Sequence, residues 1–253
     1  MPTQLLIPVA AVIGAIIGSF LNVVIVRVPR HESLVTPRSR CPACGTELCW
    51  FDNIPVLSFL ALRGSCRACG AAISWRYPTI EGLTALLFAA AAWRSTSIAD
   101  LLVAWLFLAA LVAIAGIDLE HQIIPDRITL PGIVVGFLTS FLGTRASWLD
   151  SLLGILAIGG ILLAVIIVSG GGMGGGDVKL GAMMGAFLGY KLALLALFLA
   201  VISGGCVALA LLFTGIRRRK DPIPFGPFLA MSAAIALLWG ETILTWYLTA
   251  FSF

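Results

Sequence analysis

Long uncharged apolar runs decide what this chain can fold into. From Leu5 to Val26 no charged residue interrupts the sequence, and apolar stretches of ~18 residues or more read as membrane-spanning helices. The pattern recurs to the end of the chain. Only 11% of the residues are charged, where soluble domains carry roughly 25%. A soluble domain of 253 residues still needs a large wet exterior, which this composition cannot furnish. The first run is too long for the apolar core of a removable signal, and no basic residue precedes it, so it reads as a span.

The expected fold is an all-α membrane protein of about eight transmembrane helices, drawn at 5–26, 79–93, 100–117, 128–144, 148–169, 178–190, 192–214 and 226–250. Merging 178–214 into one helix gives a seven-span alternative. Charge separates the two. With eight spans and an outside N-terminus, the cytoplasmic side holds Arg27, Arg30, Arg38, Arg40, Arg63, Arg67, Arg76, Arg127, Lys179 and the run Arg217-Arg218-Arg219-Lys220. Arg94, Arg145 and Lys191 remain outside. Thirteen basic residues inside against three outside is the bias that orients inner-membrane proteins, whereas merging would export the basic run. The net charge of +4, with no nucleic-acid module around it, speaks to topology and lipid rather than to nucleic acid.

Three parts follow: a first span over 1–26, a soluble loop over 27–78, and a seven-span membrane domain over 79–253. The loop carries Cys41-Pro-Ala-Cys44 and Cys66-Arg-Ala-Cys69. Each C-x2-C pair places two thiolates on one knuckle, and two knuckles supply the four soft ligands of a closed structural Zn²⁺ site. Gly45 and Gly70, one after each pair, suit the turn. Disulfides are disfavoured in a reducing compartment, and a redox pair would need a βαβ context that is missing. Cys49 and Cys206 fall outside the pattern and read as small packing residues.

Two of the twelve acidic residues sit where charge is costly. Asp118 ends the apolar run that closes with Ala115-Gly116-Ile117, and Asp177 follows the nearly unbroken glycine stretch 170–176. Ionisable groups at such depth are candidates for function. Two spans separate them, so both emerge on the same side. Paired carboxyls that share one proton supply a base for water and an acid for a carbonyl oxygen. Against this stands the commoner role of an edge aspartate, capping a helix, and Asp126 and Asp150 are read that way. The glycine stretch contains G-x-G-x-x-G, but with no preceding strand and no GK[ST] ending it is a poor phosphate loop. His121 and His31 read as interfacial or loop histidines.

Beyond these readings, Gly174-Gly175-Gly176-Asp177-Val178-Lys179-Leu180 resembles the signature of bacterial type IV prepilin peptidases, membrane aspartyl peptidases of the GxGD type. Asp118-Leu-Glu-His-Gln-Ile-Ile-Pro-Asp126 is similar to the segment that carries the first catalytic aspartate of that family. The likeness extends to Gly18-Ser-Phe-Leu-Asn22, Asp52-Asn-Ile-Pro-Val-Leu57, Arg76-Tyr-Pro-Thr-Ile-Glu81 and, more weakly, Pro224-Phe-Gly-Pro227. It thus covers roughly residues 14–230.

The resemblance implies that Asp118 and Asp177 are catalytic, and the cysteine loop of the family is present with both pairs intact, Cys41 with Cys44 and Cys66 with Cys69. It further implies cleavage of a basic leader from prepilins or pseudopilins at the cytoplasmic face of the bacterial inner membrane. Methylation of the new N-terminus by S-adenosylmethionine would follow. A peptidase-only relative like the preflagellin peptidases is one alternative, although those generally lack the cysteine loop. An ion-coupled transporter is another, but transporter sites usually lie near the bilayer midplane within repeats, and neither feature is found in this sequence.

Overall fold

The computed structural model describes residues 3–143, 145–170, 172–215 and 223–251. The basic run Arg217–Lys220 lies outside the described residues. Eight α-helices are described: α1 (Thr3–Arg27), α2 (Leu57–Ala61), α3 (Arg76–Arg94), α4 (Ile98–His121), α5 (Asp126–Thr139), α6 (Trp148–Val168), α7 (Gly175–Phe213) and α8 (Gly226–Phe251). Of these, α1, α4, α6, α7 and α8 are long and apolar enough to cross a membrane. Their outer faces carry large apolar side chains in the open, among them Ile16, Leu106, Leu156, Phe198 and Trp246. In water such faces would drive association; in lipid they are the expected surface. The chain is a multi-pass membrane protein.

It divides into two compact units, residues 1–95 and 96–253. In the first, α1 packs on α3 through the Gly14-x3-Gly18 step. A Cβ on Gly14 would lie 2.7 Å from the Thr84 carbonyl oxygen, and one on Gly18 2.7 Å from the Glu81 Cα. Small residues four apart let two backbones touch where lipid gives no hydrophobic push. Near the end of α1, the Asn22 amide donates to the Tyr77 carbonyl at 3.2 Å. The buried carboxylate of Glu81 accepts the Val56 amide at 2.7 Å and so ties the soluble loop to α3.

The second unit is built around the first half of α7. Helix α6 meets it at reciprocal glycines: a Cβ on Gly185 would stand 2.2 Å from the Gly154 carbonyl carbon, and one on Gly154 2.5 Å from the Gly185 oxygen. Helix α5 contributes Gly132 against Met183 and Gly136 against Phe187. From α4, Phe107 stacks on Phe187 with ring centroids 4.5 Å apart.

The 39 residues of α7 would reach ~58 Å if straight, yet the helix folds back on itself. Gly189 has φ 71° and ψ 172°, a conformation essentially confined to glycine. Past it, Leu192 meets Gly240 of α8, while Gly204 meets Phe225 and Phe228 at the start of α8. Because Gly226 bonds Asp118, both ends of α7 reach the Asp118 end of α4. The break lies at the boundary drawn between 178–190 and 192–214, and it favours eight spans over seven.

One expected boundary shifts. The span drawn at 128–144 is α-helical only over Asp126–Thr139, followed by a 3-10 turn over Ser140–Leu142 and a left-handed Gly143. Fourteen α-helical residues rise ~21 Å, short of a ~30 Å hydrocarbon core. At the far end of this unit Arg145 pairs with the buried carboxylate of Asp100 and donates to the Leu237 carbonyl at 2.8 Å. Ser97-x-x-Asp100 also carries the pattern of a reciprocal helix cap. The cap is present: Asp100 N–H donates to the Ser97 hydroxyl, and Asp100 accepts from Thr96 N–H.

Candidate active site and metal centre

Asp118 occupies the last turn of α4 and Asp177 the first turn of α7, and both are buried. Three local features bring them together. Gly176 lets the link between α4 and α5 pass close, since a Cβ there would fall 2.7 Å from that of Ile124. Lys179, one turn into α7, grips both carboxylate oxygens of Asp126 at 2.6 and 2.7 Å, fixing the start of α5 against α7. Gln122, left-handed at φ 54°, ends α4 cleanly with its N–H on the Asp118 carbonyl. The two carboxylates come within electrostatic reach of each other.

A third segment completes the site. The Gly226 amide donates to Asp118 Oδ2 at 3.0 Å, in a contact that is buried on both sides. A Cβ on Gly226 would stand 2.6 Å from that same oxygen, so this position admits glycine alone if the carboxyl is to stay in place. The sequence offered a signal in Pro224-Phe-Gly-Pro227, but nothing local told that its glycine would meet Asp118. Where the end of α4, the end of α7 and the start of α8 converge, a cleft of about 280 Å³ is lined by Leu119, Gln122, Leu211, Ile223, Pro224, Pro227 and Phe228.

The remaining candidates sort themselves by position. Asp126 begins α5 but serves as the partner of Lys179 rather than as a cap, so its expected role is corrected. Asp150 behaves as read, in a reciprocal cap with Ser147. His121 and His31 are exposed. Cys49 and Cys206 are exposed too, which overturns their reading as packing residues: a small thiol suits an outward face as readily as a core.

In the first unit the cysteine pairs form two matching knuckles. Cys41 N–H donates to the Thr46 carbonyl and Gly45 N–H returns to Cys41; Cys66, Ala71 and Gly70 repeat the scheme. Gly45 and Gly70 have φ of 73° and 72°, the left-handed turn anticipated for them. The four sulfurs of Cys41, Cys44, Cys66 and Cys69 lie within 4.8 Å of one another.

Tetrahedral Zn–S bonds of ~2.3 Å set sulfurs ~3.8 Å apart, and Cys41 Sγ to Cys69 Sγ is 3.8 Å. Hydrogen bonds from the Thr46 hydroxyl and amide pull the Cys44 thiol down to about 6. Backbone amides of Cys69 and Ala68 lower Cys66 as well. Cys69 goes the other way, to about 11: the Ala71 amide favours its thiolate, but Cys44, Cys66 and Cys41 crowd it into keeping its proton. A cation at the centre would remove that conflict, because metal binding releases the protons. The cluster fits a metal ion.

Comparison with known proteins now has a geometry to attach to. The profile of the type IV leader peptidase family matches residues 105–209, which include both aspartates. That of the bacterial peptidase A24 N-terminal domain matches residues 12–95, which include all four clustered cysteines and stop where the first structural unit stops. A prepilin leader peptidase/N-methyltransferase of Aeromonas hydrophila is 40% identical over 93% of this chain and 91% of its own length. The chain belongs to the type IV leader peptidase family. Relatives of the same name in Bacillus subtilis (39% identical, over 94% of this chain and 96% of the relative) and Pseudomonas aeruginosa (37%, over 93% and 91%) agree with this. No solved structure matches the chain.

Proposed function

We propose that this protein is a membrane aspartyl endopeptidase that removes the leader of type IV prepilins or pseudopilins, with Asp118 and Asp177 as its catalytic carboxyls. The observation that supports the reading is two buried aspartates at separate helix ends, within electrostatic reach of each other, with the Gly226 amide donating to Asp118. Two such carboxyls do not both ionise cheaply and share one proton. The ionised member takes a proton from water as the oxygen attacks the scissile carbonyl carbon, and the protonated member gives its proton to the carbonyl oxygen. Collapse of the tetrahedral adduct breaks the C–N bond: the departing amine takes up the proton removed from water, and a hydroxyl of the adduct returns its proton to the other carboxyl as the new carboxylic acid forms.

In this reading Cys41, Cys44, Cys66 and Cys69 hold a structural Zn²⁺, a closed site that stiffens the loop between the first and second spans. The same chain then transfers a methyl group from S-adenosylmethionine to the amine that cleavage exposes. Methyl transfer needs a neutral amine in line with the donor methyl, an alignment different from that of hydrolysis. The protein sits in the bacterial inner membrane with its aspartates toward the cytoplasm, and residues 1–26, 27–78 and 79–253 act as first span, metal loop and peptidase domain. Labelling of a cysteine placed near residue 219 by an impermeant reagent from the periplasm would overturn that orientation.

Incubation of the purified protein with a prepilin tests the central reading. Leader loss is expected on a gel, and Asp118→Asn and Asp177→Asn should each abolish it in protein that still inserts. Asn keeps the size of Asp but is no base. Near-normal cleavage by either variant rules out the pair.

A further inference from the structure

The metal loop begins at the end of α1 and runs into α3, and one of its contacts lies well below the end of α1. Glu81 packs across from Gly18, where a Cβ would fall 2.7 Å from the Glu81 Cα. From Gly18 to Arg27, the last residue of α1, a helix rises ~13 Å. Yet the Val56 amide donates to Glu81 Oε2 at 2.7 Å. One glutamate side chain and one hydrogen bond do not climb that far, so Val56 lies below the level of Arg27. The Asn22 amide, bonded to the Tyr77 carbonyl at 3.2 Å, sets the first turn of α3 below the same level.

Helix α2 follows Val56 directly, and its two sides differ. Phe59 is buried against Trp75, with ring centroids 4.9 Å apart. Leu57 and Leu60, one turn apart, are 65% and 61% exposed, and Trp75 itself is 72% exposed. The backbone here is satisfied from within: the amides of Leu60, Leu62 and Gly64 donate to the carbonyls of Val56, Ser58 and Phe59. Backbone paired inside its own segment is what surroundings without water demand. Arg63, exposed, comes just after α2. The loop over 27–78 as a whole holds seven arginines against three acidic residues.

From this placement we propose that α2 is a membrane-interface anchor: Leu57 and Leu60 enter the phospholipid layer, Trp75 lies at headgroup level, and Arg63 meets headgroup phosphates. Lipid is the occupant the geometry favours, because the segment starts below the membrane boundary that Arg27 marks. Tryptophan is enriched at that level, and an excess of arginine complements anionic headgroups. The stem of Arg63 can lie along the apolar surface while its guanidinium reaches the phosphates. Anchored this way, the metal loop is held down on the bilayer at α2 as well as at its two ends. The inference does not depend on the peptidase reading; it needs only that α1 spans the membrane.

The test uses full-length protein in nanodiscs of phosphatidylethanolamine and phosphatidylglycerol, with photoreactive p-benzoylphenylalanine replacing Leu57 or Leu60 one at a time. Illumination should add the mass of one phospholipid, in a yield comparable to that at Val12, an exposed position on α1. Adducts to a second copy or to an added prepilin in place of lipid would overturn the anchor. So would the absence of lipid adducts at both positions while position 12 is labelled. Leu57→Asp combined with Leu60→Asp gives a second measurement that does not rely on the bulky photoreactive group. Hydrogen exchange across residues 57–64 should rise in nanodiscs, because a carboxylate is costly to keep in lipid. Unchanged exchange would overturn the anchor, whereas loss or survival of prepilin cleavage bears only on the aspartate pair.

Discussion

The cysteine cluster and the aspartate site of this protein are built on opposite plans. The four sulfurs come from two short knuckles, each closed by its own backbone hydrogen bonds across five residues, Cys41 to Thr46 and Cys66 to Ala71. The carboxyls come from the end of α4 and the start of α7, with a third element 108 residues beyond Asp118 supplying the Gly226 amide. A locally built site tolerates change elsewhere in the chain and fails as a unit. A site assembled from distant helix ends depends on how those helices pack, and a displacement of ~1 Å there can cost about 10²-fold in rate.

The largest expected effect short of removing an aspartate comes from Gly226→Ala. The new methyl would stand 2.6 Å from Asp118 Oδ2, with the Cγ and Cβ of the same side chain at 3.1 and 3.3 Å. The carboxyl can swing away, so folding survives. Cleavage should nevertheless fall about 10²-fold while helix content and metal content stay unchanged. A fully active Gly226→Ala enzyme would show that the Gly226–Asp118 contact does not position the carboxyl, and the contrast between the two sites would lose its sharpest edge.

That contrast also explains what the sequence made legible. The four cysteines were readable because C-x2-C spacing and a following glycine are local patterns with a local consequence. The aspartates were readable because a charge beside a long apolar run is conspicuous, and the break at Gly189 because charge balance demanded a turn between the seventh span and its predecessor. What escaped was pairing across distance. Asp126 looks like a helix cap until α7 brings Lys179 to it 53 residues later. Asp100 and Arg145, 45 residues apart, gave no sign of each other. Gly226 is one of 27 glycines, and only its packing against α4 distinguishes it.

An intermediate effect is expected in the local site. Cys44→Ser should reduce bound Zn²⁺ from one per chain toward none, measured by metal analysis of freshly purified protein. Loss of one thiolate from a closed four-sulfur site removes folding energy locally, so protease sensitivity should rise within residues 41–69 before the helices respond. Cleavage should drop much less than in Gly226→Ala. If methyl transfer is lost while cleavage persists, the loop serves the second reaction; equal loss of both reduces it to general support. Full zinc retention in the variant would mean that the ligand set is wrong.

The smallest effect is expected at the edge of the aspartate site, in Asp126→Asn. Lys179 holds Asp126 through two short contacts, but both side chains are substantially exposed, at 39% and 54%. Exposed pairs contribute only ~0–1 kcal/mol, and the amide of Asn still accepts one hydrogen bond from the ammonium. The pair spans α5 and α7 next to Asp177, so whatever is lost should appear as slightly looser carboxyl alignment rather than as lower stability. A fall in kcat of no more than about fivefold, with KM unchanged and helix content intact, is the expected result, since ~1 kcal/mol corresponds to about that factor. Rising salt should erase the difference between Asp126→Asn and the parent by screening the ion pair. A loss as large as that of Gly226→Ala would show that Asp126 takes part in the chemistry itself, and the site would then rest on three carboxyls rather than two.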